Sequence, residues 1–169
     1  YVSNSDCLEP ASLTRAKAFL SVGHDEYWDP RQYEAADAAI QAGMSYLWLC
    51  GNSVFVTSPF SSSHDGRSKR IITRTGTFGA LREEERAAYP TLFPGITQRG
   101  PDERRIIGAR SVVPFNGGGD WTCVSPRHWA FAGTGMRRGH SIPGLVGWEH
   151  HGDPDPDRAG LEVLAEGSV

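Results

Sequence analysis

The stretch Ala18-Phe-Leu-Ser-Val-Gly-His-Asp-Glu-Tyr-Trp-Asp-Pro30, continued through a helix-forming segment to Met44-Ser-Tyr-Leu-Trp-Leu-Cys-Gly-Asn52, decides how the chain is read. Ala18 to Val22 is a short apolar run with the character of a strand, and Gly23 breaks it. Asp29 is placed to cap a helix that has Pro30 at its first position, where a missing N–H costs nothing, and Gly43 supplies the stop. Between them, residues 31–42 are rich in strong helix formers, with Tyr33, Ala36 and Ile40 on one face. Met44 to Cys50 is a second apolar run, which predicts a buried strand of a parallel sheet. Strand, helix and strand make a right-handed βαβ unit whose strands open on the same edge. His24, Glu26 and Asn52 are therefore expected as neighbours on that rim, the place where rigid scaffolds present functional loops. The fold class this predicts is α/β: a mostly parallel, flavodoxin-like sheet with flanking helices, carrying added β-rich loops in the second half.

Composition sets the limits. A chain of 169 residues fits a single domain over residues 1–169, large enough to bury roughly 70 % of the surface of its unfolded form. A net charge of −3 provides no basic field, so neither nucleic acid nor a membrane surface is expected as a partner. Arg67-Ser-Lys-Arg70 and Arg104-Arg105 read as solvated loop charges. No apolar stretch approaches the ~20 residues of a membrane helix, and no signal peptide is visible. Cys7, Cys50 and Cys123 are odd in number and lack CxxC spacing, which argues against a disulfide framework or structural zinc and favours a reducing compartment, the cytoplasm. Cys50 reads as a core thiol, because the turn after it lacks the strand-to-helix elbow that exposes a nucleophile. A cysteine hydrolase using Cys50 with His24 is the alternative.

The second half is less regular. Ser58 to Gly66 reads as a polar loop, Arg70 to Thr75 as a short β-run, and Leu81 to Ala88 as a surface helix ended by Pro90. Arg104 to Val113 holds two β-branched pieces that extend the sheet or form a hairpin. Asn116-Gly-Gly-Gly119 is a turn without the helix and lysine of a phosphate loop. His128 to Ala132 reads as a strand, and Ile142 to Trp148 leads through Gly144 and Gly147 to Glu149, where the glycines suggest close backbone packing. Neighbouring side chains in extended backbone point to opposite faces, so His150 and His151 cannot readily share one ion and read as a solvated turn.

His24-x-Glu26 places two donors on one side of an extended segment. Glutamate is a hard oxygen donor suited to iron, manganese or magnesium, and histidine a borderline donor or a hydrogen-bonding partner for a polarised carbonyl. Asn52 is placed to steady a developing oxyanion, and Glu149 adds a second carboxylate. That set fits a metal-assisted hydrolase in which one glutamate holds the metal and the other activates water.

Ser21-Val-Gly-His-Asp-Glu-Tyr-Trp28, followed by a helix and Leu47-Trp-Leu-Cys-Gly-Asn52, resembles the C-terminal domain of the large (β) subunit of N,N-dimethylformamidase. Arg127-His-Trp-Ala-Phe-Ala-Gly-Thr-Gly-Met136 and Ser141-Ile-Pro-Gly-Leu-Val-Gly-Trp-Glu149 continue the resemblance. The resemblance implies a glutamine-amidotransferase-like fold and hydrolysis of small amides around a ferric ion held by two tyrosinates and one glutamate. That glutamate falls on Glu26, the motif's histidine on His24, its asparagine on Asn52, and the water-activating glutamate on Glu149. Tyr27 and Trp28 match the motif as packing residues of the rim, with a phenolate ligand left open for Tyr27. Asp25 stands where the family has proline, either adding negative charge beside the metal or facing solvent. The family's iron-binding tyrosines lie well upstream of this motif, and Tyr1 is the sole tyrosine before His24. The resemblance therefore implies a fragment or subunit of a larger, oligomeric enzyme, with a second polypeptide or an upstream segment supplying the tyrosines; loss of the iron is the alternative. The reading from a different class is a non-catalytic amidotransferase-like module that binds a partner or a sugar.

Overall fold

The computed structural model describes residues 1–88, 95–112 and 117–168. After a 3-10 turn at Asp6–Leu8, the elements are α1 (Pro10–Leu13), β1 (Ala18–Val22), β2 (Tyr27–Trp28), α2 (Pro30–Gln41), β3 (Ser45–Leu49), β4 (Val56–Thr57), β5 (Phe60–Ser61), β6 (Ile71–Ile72) and β7 (Gly76–Thr77). There follow α3 (Glu83–Ala88), α4 (Arg104–Ile107), β8 (Arg110–Ser111), β9 (Gly119–Cys123), a 3-10 turn at Trp129–Phe131, β10 (Ser141–Val146), β11 (His151–Gly152) and β12 (Ala165–Glu166).

The βαβ unit forms. The carboxylate of Asp29 accepts from the Arg31 N–H at 2.8 Å and also from the Phe60 N–H at 2.7 Å, so the helix cap also anchors β5. The helix ends where Gly43 takes φ +94°, a backbone conformation that costs a glycine little. Tyr33 and Ala36 on α2 are buried with Trp28, Val54, Phe78 and Ile106, and Ile40 packs against them. Ala35 and Ala39 join Cys7 and Leu13 in a second cluster. β1 and β3 pair in parallel from Ala18↔Ser45 to Val22↔Leu49. Both segments then leave the ladder and rejoin as the parallel pair β2 and β4, Tyr27 opposite Val56. Residues 23–26 and 50–55 line the gap between the two ladders.

The mostly parallel, flavodoxin-like and amidotransferase-like sheet is not what forms. Among the described residues the strands make five small sheets: β1-β3, β2-β4-β7, β5-β6, β11-β8 and β10-β9-β12. Of these sheet pairs β1-β3 and β2-β4 are parallel and the rest antiparallel. A parallel crossover needs a dozen or more residues, usually a helix, and past β4 the described residues offer only α3 and α4, of 6 and 4 residues. Short returns make antiparallel neighbours instead. β3 is also not a buried strand. Its inner residues Tyr46 and Trp48 pack on the core, whereas Leu47 and Leu49, with Leu20 and Val22 of β1, face outward at 42 to 67 % exposure.

Two local readings change as well. Ile106 and Ile107 lie in a helix, because the Asp102 carboxylate accepts from the Arg104 N–H and Gly108 closes the turn with φ +91°. His128 to Ala132 is a 3-10 turn, fixed by the Ala130 N–H donating to Nδ1 of His128. Pro90, Val113 and Asn116 lie outside the described residues. Among the described residues no helix is long and apolar enough to cross a membrane.

Glu103 is 1 % exposed. Its Oε1 accepts from the Ser111 N–H at 3.3 Å, and Gly79 lies so close that a Cβ there would sit 2.2 Å from Oε2. Burial pushes this carboxyl up to about 7. The folded protein thus binds a proton that the unfolded chain has released, so stability falls as pH rises from the ordinary carboxyl range through 7. From a folded value of about 7 against 4.5, the loss is about 3 kcal/mol. Glu103→Gln, a neutral isostere, is expected to flatten that decline. Urea unfolding at pH 5 and pH 8 checks it; equal losses in the two proteins would show that Glu103 does not titrate in the folded state.

Candidate functional site

The gap between the two parallel ladders is built from the bend after β1 and the turn after β3. Asp25 turns inward: its carboxylate accepts from the Ser21 hydroxyl at 2.5 Å and from the buried Trp28 indole N–H at 2.8 Å. This locks the bend. In extended backbone His24 and Glu26 then share the opposite side.

Across the gap, the Val54 N–H donates to the Asp25 carbonyl and the Val56 N–H to the Glu26 carbonyl. The turn between them is strained. Asn52 and Val54 adopt φ of +46° and +58°, which asparagine tolerates better than most residues and which is an outlier for β-branched valine. Such conformations cost of order 1–3 kcal/mol each and cluster at functional sites. Glu149, arriving from the far end of the chain, has φ +59° and accepts the Asn52 N–H at 2.9 Å. Gly51 makes this approach possible, since a Cβ at position 51 would lie 2.0 Å from the Glu149 carbonyl oxygen.

The result is a cluster of three donors. One ligand atom from each of His24, Glu26 and Glu149 lies within 4.8 Å of the others. Nε2 of His24 is 3.3 Å from Oε2 of Glu26, with the histidine side chain 58 % and the glutamate 8 % exposed. Burial, and then the charge of Glu149, raises the Glu26 carboxyl above its ordinary range; His24, Tyr27 and Arg74 pull it back. Two carboxylates drawn together, one of them desolvated, favour a cation between them. Oxygen and imidazole donors suit a hard or borderline metal, ferric iron among them. Asn52 lies in the wall of this site, 2 % exposed, and its side-chain Oδ1 has no hydrogen-bond partner among the described residues. His24, Glu26, Glu149 and Asn52, expected together from the sequence, are thus all at one gap, Asn52 joined to it through its backbone.

Cys50 meets hydroxyls. Its sulfur lies 2.8 Å from Oγ of Ser53 and 3.4 Å from Oγ of Ser21, and no imidazole bonds to it among the described residues. That arrangement gives a cysteine hydrolase no base. The inward role of Asp25 was not legible from sequence, where metal-side charge and solvent were the two readings. Nor were His150 and His151 a solvated turn: the Nε2 atoms of both are buried without a partner among the described residues, and burial lowers the His151 pKa. The one available signal was Gly51 before Asn52, a glycine placed where another backbone must come close.

The family model described as N,N-dimethylformamidase beta subunit-like, C-terminal, matches residues 1–169. Searches of curated proteins and of solved structures give no match.

Proposed function

The chain belongs to the N,N-dimethylformamidase beta subunit-like, C-terminal family, and from that premise we propose that it carries half of the active site of a metal-dependent hydrolase of small linear amides. The observation that carries this reading is the convergence of His24, Glu26 and Glu149 at one gap between parallel ladders. Glu26, the most buried of the three, would hold ferric iron, with tyrosinates contributed by a second polypeptide or an upstream segment. When bound, the ion supplies Lewis acidity to the amide carbonyl.

The chain's own residues do the rest. Glu149, half-buried at the mouth, takes a proton from water as that water attacks the carbonyl carbon. The Asn52 amide and the His24 ring donate hydrogen bonds to the oxyanion that develops. Collapse of the tetrahedral species breaks the C–N bond, and the proton held on Glu149 passes to the departing amine. The carboxylic acid so formed gives its proton to the released amine, and carboxylate and ammonium are the products. An oligomeric enzyme of the cytoplasm accords with a family described by a subunit and with three free thiols, Cys7, Cys50 and Cys123.

Metal analysis of the purified protein, together with any co-purifying chain, tests the proposal. About one iron per site and a visible tyrosinate-to-iron band are expected. A colourless, metal-free assembly without amidase activity would sink it and leave a binding module.

A further inference from the structure

Tyr27 follows Glu26 in the chain and lies against the motif's histidine. Its ring stacks on the His24 imidazole, centroids 5.6 Å apart and planes 24° from parallel. The guanidinium carbon of Arg74 sits 5.6 Å from the centre of the same ring, a cation over an aromatic face. Arg74 arrives from the segment between β6 and β7, so the contact ties a separate part of the chain to the rim.

These contacts answer a problem the site has by construction. His24 is largely exposed, and among the described residues the bend after β1 gives its ring no hydrogen bond beyond the approach to Glu26. A donor free to rotate loses entropy on coordination, and metal sites offset this with neighbours that fix the ligands. Tyr27 is rigid by comparison: its backbone is held in β2, where it pairs with Val56. Trp28, the next residue, is anchored in the core and to Asp25.

We infer that Tyr27 and Arg74 are positioning residues of the candidate site: Tyr27 orients the His24 ring through its face, and Arg74 clamps Tyr27. This rests on the functional reading above and adds residues to it. The contact is made by the ring and needs no phenolate ligand at position 27.

The experiment measures iron content and dissociation constant in the full-length protein with any co-purifying chain, alongside the electron paramagnetic resonance spectrum of the ferric site. Tyr27→Leu loses the ring; it is expected to weaken iron binding about tenfold, within the 10–100-fold typical of outer-sphere partners, with a changed spectrum. Tyr27→Phe keeps the ring and is expected to recover most of that loss. Arg74→Gln is expected to fall between the wild type and Tyr27→Leu, and Arg74→Lys to recover part of that loss. Unchanged affinity and spectrum in Tyr27→Leu and Arg74→Gln, with iron bound by the wild type, would overturn the inference alone. Absence of iron from the wild type would overturn the functional reading from which it proceeds.

Discussion

Replacing Glu26 by alanine is expected to yield a folded protein without its metal and without measurable amidase activity. The side chain is almost fully buried against a second carboxylate, so its removal relieves like-charge repulsion while deleting the donor that the gap protects. Glu149→Gln should behave differently. Its amide keeps the shape at the mouth and cannot take a proton, so iron is retained and turnover falls by about 10²–10⁴-fold, the usual contribution of a positioned base. Elemental analysis and kcat on the same preparations separate the two roles. Iron retained in Glu26→Ala, or turnover retained in Glu149→Gln, would assign the carboxylates wrongly.

The largest loss of stability is expected from Arg110→Ala. Arg110 is buried and donates from Nη2 and Nη1 to Glu85, at 2.6 and 3.1 Å, and from Nε to Asp153 at 2.9 Å. Deleting the cation leaves the buried Glu85 carboxylate without this partner, a change that costs about 3–5 kcal/mol. For a domain of this size the melting temperature should drop by roughly 10 °C. The position also bears on the site. Arg110 lies on β8, which pairs with β11 immediately after Glu149 and His150. Loosening this pair should detach the arm that brings Glu149 to Gly51, so iron binding should weaken with stability. A melting temperature within 2 °C of wild type would show that the pair contributes little.

The helix was legible because its signals are local: Asp29 caps it, Pro30 starts it, Gly43 stops it, and the repeat of Tyr33, Ala36 and Ile40 sets its buried face. The parallel pairing of β1 and β3 followed from the length of the crossover between them. The extension of that pair into a flavodoxin-like sheet did not follow, because among the described residues no later segment offers a crossover helix and the outward face of β1 and β3 stays uncovered. Ile106 and Ile107 carry strand propensity, but Asp102 and Gly108 impose a helical turn on them. Asp25 was opaque, since whether a carboxylate turns to Ser21 and Trp28 or to solvent depends on atoms brought there by the fold.

The sequence by itself determined the βαβ unit, the family and the residue types at the rim, because caps, breakers and motif spacing are properties of neighbours along the chain. The resemblance put Glu149, 123 positions beyond Glu26 by number, in the same site; tertiary structure alone decided how it reaches the gap. That meeting depends on a glycine without a Cβ at position 51, on left-handed backbone at Asn52, Val54 and Glu149, and on the β8–β11 ladder holding the distant arm in place. Long-range contacts of this kind are set by loop closure and packing, which leave no periodic trace in the order of residues.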